Sequence, residues 1–180
     1  TNIGVSHKSL GQFDDARRYL EEALPIKRRT LGVKHRFTRA AMEELANVYD
    51  GLKLADEARA LWREVLDVLV EVGESPDATA EEAGHASERL WTVPHPELQD
   101  PQRALPLAEK AVELEREQGG ATLYMQLARL AVVQNMNGDP RKALATQQES
   151  LDAAPKHAKE QMQSYLDWYQ ANVDKLKPEE

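Results

Sequence analysis

The side chains able to do chemistry are few and scattered. The chain has no cysteine, which removes thiolate metal sites, a cysteine nucleophile and disulfides. Its histidines, His7, His35, His85, His95 and His157, never recur three or four residues apart, so no helix presents two imidazoles on one face. Glu82 and His85 have the Glu-x-x-His spacing used by di-iron bundles, but that chemistry needs a second copy and two further glutamates, and one copy exists. There is no Gly-rich phosphate loop, no H-E-x-x-H and no G-x-S-x-G elbow. These counts predict a protein that is not an enzyme and holds no metal or cofactor. What remains is recognition, and with it the elements that build a surface.

The stretch 39–70 shows those elements best. Met42, Leu45, Ala46 and Tyr49, then Ala58, Leu61, Trp62, Val65 and Leu69, recur at spacings of three and four. Only residues 50–53 separate the two runs, enough for a tight turn that folds one amphipathic helix back on the other. A lone hairpin cannot hide both apolar stripes, so it calls for similar neighbours. They are present: Ala58 has counterparts in Ala16, Ala104 and Ala143, each followed seven residues later by Val65, Ala23, Ala111 and Ser150 respectively. Seven residues are two helical turns, so each pair marks one face where a neighbouring helix comes close. The copies lie 42, 46 and 39 residues apart, which means one repeated unit with loops of variable size.

With these residues in place the sequence resembles the tetratricopeptide repeat family, whose unit is about 34 residues long. Ile3-Gly4 with His7, Leu45-Ala46 with Tyr49, and Leu130-Ala131 with Gln134 stand where its first helix carries Leu-Gly or Leu-Ala and then an aromatic. Gly11-Gln12-Phe13 and Gly138-Asp139-Pro140 resemble its turn, and Pro155 its closing proline. Leu31-Gly32-Val33-Lys34-His35 is similar to the longer kinesin light chain type of repeat, with Arg36 where a proline is usual. The resemblance implies an all-α fold: a right-handed superhelical solenoid of four hairpins, over 1–36, 37–74, 78–118 and 120–154, with a capping helix at 156–174. It also places Ile3-Gly4 in mid-helix, so the first helix is expected to begin upstream of Thr1.

Composition agrees. The 180 residues are 41% hydrophobic and 30% charged, enough apolar side chains for one repeat array. No apolar run approaches the length that crosses a membrane and no leader is visible, so the expected location is the cytoplasm. Residues 1–40 hold nine Lys or Arg against four Asp or Glu, a net +5 in a chain of −8. That leaves a nucleic-acid-associated regulator as one alternative, although Lys27-Arg28-Arg29 also suits the negative end of a helix and lacks aromatic interleaving. Pro25 is expected to bend the helix that contains it.

The third repeat departs most, with Pro94, Pro96 and Pro101 enlarging its hairpin loop. This looks like a variant of long bacterial repeat proteins, in which Arg103 to Val112 match closely. Such a loop is either a tolerated insertion or a binding element. In the last helix Met162, Tyr165, Leu166 and Tyr169 share one face, expected to close the open end of the array.

In arrays of this family the first helices line a concave groove that holds a peptide. Carried onto this sequence, the groove would be lined by Val5, Lys8 and Ser9, then by Glu43, Asn47 and Asp50. Glu81, Glu88 and Trp91 would follow, then Met125, Ala128, Val132, Asn135 and Met136. Asn47 would grip a peptide backbone, and Trp91 and the methionines would supply apolar anchors. Glu43, Asp50, Glu81 and Glu88 in place of a carboxylate clamp imply a basic or mixed partner segment. The leading expectation is therefore a protein-interaction module. A regulatory region of a larger enzyme, such as a bacterial serine/threonine kinase, is the other alternative. Self-association through the first repeat also stays open.

Overall fold

The structure, a computed structural model, describes residues 13–175. Among them the chain forms α1 (Phe13–Leu31), α2 (Arg36–Gly51), α3 (Ala55–Glu74), α4 (Ala80–Thr92), a single 3₁₀ turn (Pro96–Leu98), α5 (Pro101–Gln118), α6 (Leu123–Met136), α7 (Pro140–Ala153) and α8 (Lys159–Asp174). No strand occurs among the described residues. The expectations at Ile3-Gly4, His7 and Lys8 lie outside them.

Local chemistry sets where the helices stop and start. Gly32 ends α1 with φ +84°, a left-handed conformation that costs glycine little, and its N–H reaches Arg28 O at 3.1 Å. His35 then caps α2, its Nδ1 accepting the Phe37 N–H at 3.3 Å, which gives the Leu-Gly-x-x-His signature a physical reason. α2 runs on through Asp50 and Gly51, so the turn is shorter than the spacing implies, with Lys53 at φ +60°. α5 and α7 start with the same device: Asp100 and Asp139 accept from the N–H groups of Arg103 and Lys142, each before a first-turn proline. Pro25 lies exposed inside α1, which stays one helix through it.

The small residues of the repeat do what their spacing predicts. Ala16, Ala58, Ala104 and Ala143 are fully buried, and so is Ser150. Ser150 Oγ donates to Tyr124 O at 2.6 Å, and Ser87 Oγ to Ala104 O at 2.9 Å, so the close helix contacts are also hydrogen-bonded. Ala23 alone of the set is only half-buried.

The chain divides into two compact units. The first comprises Thr1–Val72 and Val93–Leu98, where α2 packs on α1 over a core that includes Leu20, Met42, Leu45 and Trp62. The second comprises Gly73–Thr92 and Gln99–Glu180, where each of α4 to α8 packs on the next and α4 also meets α6. Its core gathers Ala108, Val112, Leu127 and Leu130 in one cluster and Ala131, Ala143 and Tyr169 in another. The proline-rich segment Val93–Leu98 thus belongs to the first unit, although the helices on either side of it belong to the second.

Candidate interaction surfaces

Among the described residues of the first unit, the polar residues expected in a groove, Glu43, Asn47 and Asp50, are engaged by the chain itself. Glu43 is buried at 7% exposure. The Asn47 carboxamide donates back to Glu43 O at 2.9 Å, a bond within its own helix. Asp50 accepts from Trp62 Nε1 at 2.8 Å with one carboxylate oxygen and contacts His95 Nε2 at 2.9 Å with the other. These partners lie 12 and 45 residues away, so helical periodicity could not reveal them. His95 comes from the proline-rich segment, where Glu97 also meets Arg59 Nε at 2.7 Å. A backbone N–H of its own residue and the Arg59 guanidinium hold Glu97 below the usual carboxylate range. The enlarged loop is therefore tied down by two polar contacts.

The motif Glu82-x-x-His85 has a different explanation. Thr79 Oγ1 accepts the Glu82 N–H at 3.2 Å while Glu82 Oε2 takes the Thr79 N–H at 3.3 Å, a reciprocal capping box that starts α4. The pattern S/T-x-x-E was visible in the sequence and names Glu82's role better than metal chemistry does.

Within the second unit, α4, α6 and α8 surround a cavity of about 660 Å³. Glu88 and Trp91 line it from α4, and Met125, Ala128, Val132, Asn135 and Met136 from α6. These are residues that the groove expectation names, gathered here around one space; Glu81 is exposed but does not line it. Glu88 pairs with Arg129 at 3.0 Å, so its charge is compensated at the wall.

The far wall is α8, the helix expected to close the open end of the array. Met162, Tyr169 and Val173 are its buried face, whereas Tyr165 is 44% and Trp168 55% exposed, and both line the cavity. Tyr165 therefore leaves the apolar face assigned to it. Gln147 of α7 donates to Met162 O at 3.1 Å and fixes α8 in this register. Gln161 donates to the Tyr165 hydroxyl at 2.9 Å, and Trp168 meets the Tyr169 ring edge-on at 5.0 Å. Burial pushes the Tyr169 phenol up to about 12. Met125 and Met136, at 39% and 41% exposure, add flexible apolar contacts to this aromatic wall.

The helix order, the buried alanine and serine positions and the glycine-ended hairpins invite comparison with known repeats. The family model of the tetratricopeptide repeat matches residues 1–71. Over that stretch the chain is similar to tetratricopeptide repeats. Among solved structures, it superposes on the nearly identical TPR-like repeats of a Podosopora anserina protein described as a kinesin light chain. The TM-score is 0.65 at 19% identity, covering 96% of this chain and 85% of that one. BtubC (BKLC) from P. vanneervenii gives 0.55 at 17% identity over 99% of this chain and 64% of its own, and MamA 0.53 at 16% over 97% and 96%. At such identities the likeness concerns the fold. No curated protein matches the chain in sequence. The tetratricopeptide repeat is in general a module for protein–protein interaction, and none of the described helices is long and apolar enough to cross a membrane.

Proposed function

We propose that this repeat region binds a partner protein, and that the partner's segment docks in the cavity between α4, α6 and α8. The supporting observation is the exposed set Met125, Met136, Tyr165 and Trp168 around a cavity of about 660 Å³. Aromatic and methionine side chains held half-exposed around a concavity leave apolar surface that a partner's side chain can cover. Because Glu88 is paired with Arg129, a segment led by apolar side chains suits the site better than a purely basic one. Asn135 at the wall supplies both a donor and an acceptor for its backbone.

A photo-crosslinking amino acid placed at Trp168 tests this in the native host. It should give a defined protein adduct that the same residue at exposed Arg63 does not, and Met136→Glu should abolish it. No adduct at Trp168, or equal adducts at both positions, would sink the reading.

A further inference from the structure

The junction of α1 and α2, in the first unit, has a composition unlike the rest of the chain. Residues 23–42 contain no Asp or Glu but six cations, in a protein of net charge −8. Three large apolar side chains in the same stretch stand open to solvent: Ile26 at 53%, Leu31 at 44% and Phe37 at 53%. They do not stand alone. Lys27 Nζ lies 5.8 Å and Arg36 Cζ 5.1 Å from the centre of the Phe37 ring, and the His35 ring tilts against it at 5.4 Å. Leu31, one turn after Lys27 on α1, shares that residue's face.

The cations fall into two groups. Arg28 pairs with Glu64 at 2.8 Å, Lys34 with Glu71 at 2.6 Å, and Arg39 is buried. Lys27 and Arg36 lie over the exposed ring, and Arg36 is itself exposed; Arg29, also exposed, follows two residues after Lys27 on α1. We infer that this patch is a second docking surface, for an acidic segment of a partner protein. That segment sets a bulky apolar side chain on Phe37 and Leu31 and its carboxylates on Lys27 and Arg36. Opposite charge supplies orientation and on-rate, and the covered aromatic supplies the anchor.

Two other anionic partners fit less well. A phosphate backbone needs a stripe of cations along its path, and here Glu64 and Glu71 interrupt the stripe at Arg28 and Lys34. A lipid surface would have to take up the Phe37 ring, and the cations lying over that ring would lose their water on the way in.

The test uses the whole chain and three labelled probes: a short peptide with Trp-Leu flanked by Glu and Asp, a uridine oligonucleotide, and phosphatidylserine vesicles. A twin of the peptide carries Gln and Asn in place of the acids. The acidic peptide should bind, its twin about tenfold more weakly, and Phe37→Ala and Arg36→Glu should each weaken binding by about tenfold. Arg36 occupies the first turn of α2, where a glutamate is tolerated, so Arg36→Glu reports binding even if Phe37→Ala disturbs the fold. Trp168→Ala should leave this binding unchanged, which separates this patch from the cavity. Equal binding of the twin, indifference to Arg36→Glu, or binding of only the oligonucleotide or the vesicles would overturn the inference.

Discussion

Asp50 shows how one side chain can make contacts that its place in the helix does not reveal. Its place at the end of an amphipathic helix marks it as polar surface, yet its two oxygens serve Trp62 and His95, and Trp62 is only 1% exposed. Asp50→Ala strands a buried indole N–H and an imidazole, and should lower the free energy of unfolding by about 1–3 kcal/mol in urea titrations. A loss below a few tenths would mean that water replaces the carboxylate without cost. Tyrosines give a second test. Burial raises both Tyr169 and Tyr49 to about 12 from 10.0, with a hydrogen bond to Glu21 adding to the effect at Tyr49. A raised phenol pKa means that the fold favours the neutral form. This stability is therefore whole below pH 10 and is lost as pH rises towards 12. Tyr169→Phe should flatten that decline, as followed by circular dichroism across the alkaline range.

At the scale of elements, the sequence was most legible where one rule acted alone. Ala16, Ala58, Ala104 and Ala143 could be picked out because close helix contact admits only a small side chain, and each is fully buried. The Asp-Pro starts of α5 and α7 were legible for the same reason, since a capping carboxylate and a proline lacking its N–H suit one place in a helix. Asp100→Ala and Asp139→Ala should each cost about 1 kcal/mol. Hydrogen exchange should show the extra opening confined to the first turns of α5 and α7 respectively, and uniform loss of protection would point to something other than a cap. α8 was legible as a helix but not in its orientation. Period alone groups Tyr165 with Met162 and Tyr169, whereas Gln147 and the packing of Tyr169 on α7 decide which side is covered. The capping box that holds Glu82 is legible in the Thr79-x-x-Glu82 spacing, where the single Glu-x-x-His copy names no role for it.

For the whole molecule, charge is the property that composition predicts best. Ion pairs join parts of the chain at side chains that are about half exposed: Lys34, between α1 and α2, meets Glu71 of α3, and Arg116–Glu149 and Lys142–Glu109 link α5 to α7. Exposed pairs contribute about 0–1 kcal/mol each and are screened, so raising salt well above physiological strength should move the melting temperature by only a few degrees. A large drop would show that these pairs hold more of the fold than their exposure implies. The division into two units was beyond reach of the sequence, because it depends on where Val93–Leu98 lands and not on any repeat boundary. That landing bears on anyone who wishes to cut the chain. The obvious scissors mark is the break between Glu74 and Ala80, yet an N-terminal fragment ending there forfeits His95 and Glu97, and Asp50 and Arg59 lose ligands that are encoded some twenty residues downstream of the cut.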